Sequence, residues 1–186
     1  MKTRTGLKSA GFALAVLAFV MLTIGVCSAN AAAPHNQRDD GASLSKQVHR
    51  ELVTLPWYGV FDNLEYTING SEVILTGQVV RPITKSDAET SVKKLEGVTR
   101  VVNNITVLPL SEFDDQIRRA EFRAIFSGAS LGRYAMGPVP SIHIIVNNGH
   151  VLLDGVVSNQ MDYNIANIRA NSVPGVFSVT NNLRIG

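Results

Sequence analysis

Residues 73–107 read VILTGQVVRPITKSDAETSVKKLEGVTRVVNNITV, and residues 151–185 repeat the pattern as VLLDGVVSNQMDYNIANIRANSVPGVFSVTNNLRI. The two stretches align without a gap, and ten of the 35 aligned positions are identical. Ordinary composition gives roughly two identities by chance over this length. The chain therefore contains two copies of one small module, not the many short units of a solenoid.

Each copy is predicted to have the element order α-β-β-α-β. In the first copy, Ser43 is a suitable N-cap for a helix, and Asn69-Gly70 joins two strands of alternating apolar residues. A second helix ends near Gly97, and a closing strand follows over 98–107. Strands two and three are joined through a helix, so they should be parallel. The predicted fold class is α+β, with two tandem α-β-β-α-β modules, each a three-stranded mixed sheet with two helices packed on one face.

We predict four parts along the chain, three of which follow the first 31 residues. Residues 32–42 are small and polar and are predicted to be a flexible lead-in, 43–110 form module 1, and 111–186 form module 2. The first helices align at an offset of 69 but the hairpins at 78, which places an insertion near 127–141 of module 2. A functional loop and a tolerated insertion are both open interpretations of this segment.

The fourth part, residues 1–31, has the pattern of a signal peptide. Three basic residues precede an apolar run over 11–26, and Ala29-Asn30-Ala31 fits the small-x-small cleavage rule. The run is short for a membrane span. We therefore expect export to the periplasm, with cleavage near Ala31/Ala32. The alternative is lipoprotein processing at Cys27, which the bulky Val26 before it disfavours.

The charge balance argues against nucleic acid as a partner. The full chain has 17 basic and 15 acidic residues, but three basic ones belong to the predicted signal segment. The remaining chain has 14 basic residues against 15 acidic ones, without the strong positive charge that nucleic-acid binding needs. The one cysteine also lies in the signal segment, so the two modules must be held by their cores alone.

The residues shared by the two copies resemble those of the BON domain. The pattern Val73-x-Leu75-x-Gly77-x-Val79, followed by Gly97-Val98-x-x-Val101-x-Asn103-Asn104, recurs from Val151 and from Gly175. The resemblance implies a non-enzymatic envelope protein that associates with phospholipid surfaces and serves in osmotic or envelope stress. The shared residues themselves look architectural: the mid-strand glycines predict a close approach of backbone, and the asparagines satisfy local backbone groups.

No catalytic, cofactor or metal motif is present in the sequence. The four histidines are scattered, and none shares a ligand spacing with another histidine or a carboxylate. His143 and His150 could approach each other across a hairpin, but two histidines without a third ligand are ordinary surface residues. We expect no enzyme activity, no metal and no cofactor.

The second helix of module 2 carries the main candidate site. Ala166 and Ala170 face the core, which leaves Met161, Ile165 and Ile168 on the roughly opposite side. We expect this apolar stripe to dock on a phospholipid surface, with Arg169 contacting phosphate, and to depend on anionic lipid and on salt. The alternatives are burial within the chain, or docking of an envelope protein or a second copy of the chain.

Several weaker candidates accompany this stripe, each with a structural alternative. The two aromatic rings after the first helix suit a membrane interface, and the basic cluster of module 2 could attract lipid headgroups. The alternatives are a lid on the first core and a solvated helix face offset by Glu112, Asp114, Asp115 and Glu121. These weaker candidates are Trp57, Tyr58, Arg118, Arg119, Arg123, Arg133 and Tyr134.

Overall fold

The computed structural model describes residues 37–186, with side chains from residue 42 onward. The predicted signal segment, its cleavage site and Cys27 lie outside the described residues. Module 1 contains α1 (Gln37–Val53), β1 (Asn63–Asn69), β2 (Glu72–Val79), α2 (Pro82–Lys93), β3 (Arg100–Asn103) and β4 (Thr106–Val107). Module 2 contains α3 (Glu112–Phe126), a 3-10 turn (Gly132–Ala135), β5 (Ile142–Asn147), β6 (His150–Val157), α4 (Gln160–Asn171) and β7 (Ser178–Ile185).

The first helix is longer than predicted. It begins at Gln37, before the expected N-cap Ser43, so the end of the predicted flexible lead-in is helical. No proline lies between these two residues to stop the helix from extending. At its other end the helix stops at Val53, shortly before Pro56, which cannot continue a helix.

Each module has the predicted mixed sheet, with a hairpin and one parallel crossover. β1 pairs antiparallel with β2 and β5 with β6, while β3, β4 and β7 run parallel to the central strand of their module. The closing strand of module 1 is interrupted and forms two short strands in one register. In the β5–β6 hairpin, Asn148 and Gly149 both adopt positive φ, the conformation of a tight turn between twisted strands.

Two separate hydrophobic cores fill the space between helices and sheets. In module 1, α1 contributes Leu44, Val48 and Leu52, which pack with Val73, Leu75 and Val79 of β2. In module 2, the small Ala166 and Ala170 of α4 pack against the sheet and are fully buried. Alternate residues of each central strand point to the same side of the sheet, where both helices of the module pack. The core of each module therefore lies on one face of its sheet.

The shared glycines and asparagines have the predicted architectural roles. Gly77 and Gly155 have φ of 111° and 132°. A Cβ on Gly77 would overlap the carbonyl oxygen of Asn63, at the start of β1, and a Cβ on Gly155 that of Ser141, just before β5. Only glycine satisfies both conditions. Asn103 donates from Nδ2 to Lys85 O, and Asn181 donates to Tyr163 O in the same way. Each asparagine therefore ties the closing strand to the preceding helix.

The insertion of module 2 belongs to its core. Leu131 and Tyr134 are buried, and the Tyr134 hydroxyl donates to Asp162 Oδ2 at 2.7 Å and accepts from Ser158 N at 2.8 Å. Module 1 lacks this segment, and there Asp62 accepts from Val80 N at 2.7 Å, at the position equivalent to Ser158. Tyr134 of the insertion therefore accepts the backbone hydrogen bond in module 2 that Asp62 accepts in module 1.

The two modules contact each other through the segment before β1. Val60 and Phe61 pack against the core of module 2, and Ile144 N donates to Val60 O at 2.7 Å. Asn63 Nδ2 also donates to Asp154 Oδ2 at 3.0 Å. A backbone hydrogen bond, a side-chain hydrogen bond and apolar contacts therefore join the modules at one edge of the second sheet.

Candidate functional site

The outer face of α4 carries exposed apolar side chains, as the sequence suggests. Asn159 caps the N-terminus of α4, because its Oδ1 accepts a hydrogen bond from Asp162 N at 2.9 Å. Met161 is 70% exposed and Ile168 is 66% exposed. These two residues are two turns apart and lie on the same face. Ile165, between them, is half-buried and packs against the core of module 2.

A row of carboxamides, which is absent from the predicted site residues, runs beside this apolar stripe. The row consists of Gln160, Asn164, Asn167 and Asn171, spaced four, three and four residues apart. Gln160 Nε2 donates to Asn164 Oδ1 at 3.0 Å, and Asn171 Nδ2 donates to Asn167 O at 2.8 Å. The helical spacing of these amides is the sequence signal that identifies the row.

The structure places Arg169 against α3. Its Nη1 donates to Ile125 O at 2.9 Å and is 3.4 Å from Ala124 O, where it satisfies carbonyl groups of the last helical turn. The guanidinium lies where Gly128 has no side chain, and a Cβ there would overlap it. Arg169 therefore connects α4 to α3, in a place that no local sequence pattern indicates.

The four arginines of the basic cluster of module 2 lie in different environments. Arg118 is buried and donates to Val146 O at 2.6 Å and to Asp115 Oδ1 at 2.5 Å. Arg133 forms an ion pair with Asp162 and lies 4.9 Å from the centre of the Tyr134 ring. Arg119 and Arg123 remain exposed on α3.

The interpretation of α3 as a solvated face offset by acidic residues is wrong for Asp114, Arg118 and Glu121, which are all buried. The helix turns these three positions toward the sheet together with Ile117 and Ile125. Asp114 accepts from Asn148 N and Gly149 N at 2.9 and 2.8 Å, so it stabilises the β5–β6 turn.

The two aromatic candidates of module 1 lie in different environments. Trp57 is exposed, with the Arg81 guanidinium 4.6 Å from its ring centre. Tyr58 lies between the modules: its ring stacks on His143 with centroids 5.5 Å apart, and its hydroxyl is 3.5 Å from His143 Nε2. Burial raises the pKa of Tyr58 to about 12. Tyr58 thus contributes to the contact between modules.

A groove of about 870 Å³ lies between the modules and contains several titratable groups. Burial lowers the pKa of His143, although the carboxylates of Asp154 and Asp62 act in the opposite direction. Burial also raises the pKa of Asp62, which accepts hydrogen bonds from Gly59 N and Val80 N. His143 pairs with Asp154 in the hairpin register, while His150 lies opposite Asn147.

Two general features of the described part of the chain bear on function. Across residues 37–186, no group of three or more histidine, cysteine or acidic side chains is arranged to hold a metal ion. Within the same range, no helix has the length and apolar character needed to cross a bilayer.

Comparison with known proteins gives one informative match. The family model for the BON domain matches residues 39–109 and 114–186. No curated protein sequence matched the chain. Among solved structures, the chain is similar to CdsD, a structural protein of the type III secretion system of Chlamydia trachomatis, at 12% identity and a TM-score of 0.30, covering 77% of this chain and 93% of that one. The C-terminal domain of CdsD gives 13% identity, a TM-score of 0.28, and coverage of 77% and 98%.

The BON domain match applies to both halves of the repeat. BON domain proteins are typically periplasmic or envelope proteins, and the family is generally non-enzymatic. BON domains are known to bind membrane phospholipids. Because the two matched ranges cover most of the sequence, the chain belongs to the BON domain family, with one domain in each module.

Proposed function

We propose that this protein associates peripherally with phospholipid membrane surfaces through α4, and that it does so in the periplasm as part of protection against envelope or osmotic stress. Family membership supports an envelope or membrane association. The observation that carries the proposal is the exposure of Met161 and Ile168 on one face of this helix. Soluble domains seldom expose a large contiguous apolar patch unless it serves an interaction.

The expected strength of docking follows from the exposed side chains. Burying one large apolar side chain contributes about 1.5–3 kcal/mol. Met161 and Ile168 together would contribute several kcal/mol, from which the cost of association must be subtracted. The expected result is weak, reversible binding. We assign Ile165 a supporting role because it already packs on the core, and Arg169 a positioning role because it connects α4 to α3.

The competing function is a protein-interaction module that binds an envelope partner or a second copy of the chain. One further observation favours it: Phe113 and Phe177 are 46% and 69% exposed, and their ring centroids are 6.0 Å apart. This aromatic pair lies where α3 begins and just before β7, away from the outer face of α4. An interaction module would show a concentration-dependent mass and no affinity for vesicles.

Flotation with phospholipid vesicles tests the proposal. The protein comprising residues 32–186 is compared with a Met161→Glu/Ile168→Glu variant. In the repeat, Ile83 and Thr90 of α2 occupy the positions of Met161 and Ile168 of α4. An Ile83→Glu/Thr90→Glu variant therefore serves as the matched control. We expect the α4 variant to lose at least about tenfold in vesicle partitioning, since each glutamate replaces an apolar group that docking would bury. The α2 variant should bind like the wild type.

Two results would overturn the membrane proposal. One is a wild-type protein that stays unbound with every vesicle composition. The other is a fully folded α4 variant that floats as well as the wild type. A dimer or larger assembly that dissociates in the α4 variant would instead identify the stripe as a protein interface.

A further inference from the structure

We infer that this protein self-associates head to tail, with the Phe177 ring of one copy inserted into a groove on module 1 of the next copy. The inference goes beyond the proposed membrane function and does not depend on it, because α4 belongs to neither of the two surfaces. It gives the exposed aromatic side chains of module 2 a specific binding site.

The groove lies on module 1, where α1 passes the turn between β1 and β2. Its volume is about 950 Å³, and its apolar lining side chains are Leu44, Tyr66 and Ile68. Gly97 also lines the groove, and the space beside it is open. Apart from its two chain neighbours, no described atom lies within 4 Å of the position that a Cβ on Gly97 would take. The groove therefore has room for a side chain that module 1 does not supply.

Module 2 shows which kind of side chain fits the equivalent place. Gly175 aligns with Gly97, and Phe113 of α3 aligns with Leu44 of α1. The Phe113 ring lies over Gly175, with Cζ 3.3 Å from the position of a Cβ there. The shorter Leu44 leaves this space empty in module 1. The internal repeat thus indicates that the site accepts an aromatic ring, which module 1 lacks.

Phe177 of module 2 projects an aromatic ring toward solvent. It is 69% exposed, although its backbone N donates to Gly149 O at 2.8 Å and so holds it against the β5–β6 turn. The equivalent residue of module 1 is Thr99, which has no ring. Each copy therefore has an unfilled groove on module 1 and a fixed, exposed ring on module 2.

The polar groups beside the two surfaces are complementary. Glu96 is the one charged side chain among the described residues that line the groove. The exposed His150 ring lies 6.0 Å from the Phe177 ring, and its Nδ1 is 2.7 Å from Ser178 Oγ. The other ring nitrogen of a histidine can donate to a carboxylate. Insertion of Phe177 brings this donor to the edge of the groove, where Glu96 can accept from it.

The location of the two surfaces determines the kind of assembly and its strength. Because they lie on different modules, the contact is heterologous, and each copy can bind one neighbour at each surface. A single aromatic side chain buries about 150–250 Å². A stable complex buries about 800 Å² on each partner. Association should therefore be weak, and short chains of molecules should form only at high protein concentration.

Sedimentation velocity with the protein comprising residues 32–186 tests the inference. We expect the mass of the wild type to rise with concentration up to about 1 mM. Phe177→Ser removes the ring, and Leu44→Phe fills the groove from within, as Phe113 does in module 2. Each variant alone should lose at least about tenfold in association. An equimolar mixture of the two should form heterodimers but no longer chains, because one variant keeps the groove and the other keeps the ring.

A second groove variant and a control complete the experiment. Because Leu44 is buried, Gln47→Trp fills the groove from an exposed lining position and should have the same effect without disturbing the core. Met136→Ser is the control and should associate like the wild type. Met136 is 81% exposed, but it precedes β5 and so lies at the opposite end of the sheet from the turn that holds Phe177.

Three results would overturn the inference. One is a wild type that stays monomeric at every concentration. A second is association that Phe177→Ser abolishes while both groove variants retain it, since the rings of two copies would then pair with each other. The third is an equimolar mixture that forms no heterodimer. Vesicle flotation is a separate measurement, so a monomer that floats would leave the proposed function standing, and an assembling protein that does not float would leave only this inference.

Discussion

At the residue scale, the most unusual group in the described part of the chain is Glu121. It is fully buried on α3, and neither carboxyl oxygen has a hydrogen-bond partner within residues 37–186. Burial raises its pKa from 4.5 to about 8, so the side chain is mainly protonated at neutral pH. A neutral carboxylic acid can be tolerated in a core, whereas an ionised one without a partner is costly.

This burial predicts a pH dependence of stability. The folded-state pKa lies above the unfolded value, so the contribution of Glu121 is complete below about pH 4.5 and is lost as the pH rises toward 8. Each pH unit between these values lowers the free energy of unfolding by about 1.4 kcal/mol. We expect Glu121→Gln to reduce the loss of stability between about pH 5 and about pH 8 by roughly 2–4 kcal/mol. Urea denaturation at both pH values measures it.

An exposed glutamate of the same helix provides the control for this experiment. Glu112→Gln should leave the pH profile of wild-type stability unchanged, because Glu112 lies on the surface. The interpretation of Glu121 fails if its glutamine variant loses stability with pH as steeply as the wild type.

At the scale of the elements, α3 and α4 are joined by the Arg169 side chain. Its guanidinium donates to carbonyls of the last turn of α3, which otherwise lack intrahelical partners. Gly128 leaves the space that this guanidinium occupies. The helix that carries the candidate membrane face is thus oriented by a contact with its neighbouring helix.

This contact predicts coupling between two distant positions of the sequence. We expect Arg169→Ala to lower the free energy of unfolding by about 1.5–3 kcal/mol, because a charged hydrogen bond is lost. Gly128→Ala should destabilise the wild type by displacing the guanidinium, but should cost much less when Arg169 is already alanine. A double-mutant cycle measured by urea denaturation checks this. Strictly additive effects would mean that the two residues do not interact.

At the scale of the whole described region, the two modules are joined by a small set of contacts around the start of β1. Tyr58 stacks on His143, Asn63 donates to Asp154, and Val60 O accepts from Ile144 N. Each module has its own core, and we expect each to fold without these three contacts. They instead determine the arrangement of the modules.

A Tyr58→Ala/Asn63→Ala variant should therefore loosen the pair of modules without unfolding them. We expect small-angle X-ray scattering to show a larger radius of gyration, while circular dichroism stays close to that of the wild type. Trp57→Ala is the control, since Trp57 is exposed and contacts Arg81 of its own module. Superimposable scattering curves for the variant and the wild type would show that other contacts hold the modules together.

The repeat and its local patterns were sufficient to predict the fold of each module. Alternating apolar residues predicted the strands, asparagine-glycine pairs predicted the turns, and Gly97 and Gly175 adopt the positive φ expected after the helices. All of these features depend on residues close together in sequence, where periodicity and backbone preferences operate. The exposed ends of the apolar stripe, Met161 and Ile168, were predictable for the same reason.

The tertiary structure alone decided which polar side chains are available for function. Arg169 and Ala124 are far apart in sequence, as are Tyr134 and Asp162, and Tyr58 and His143. No local pattern encodes such pairs, because a long polar side chain can reach solvent or a buried partner from the same helix position. The sequence by itself therefore determined the two domains and the face of α4 that projects outward. The packed fold determined that Arg169 turns from this face to the carbonyls of α3, because the end of that helix lies beside it.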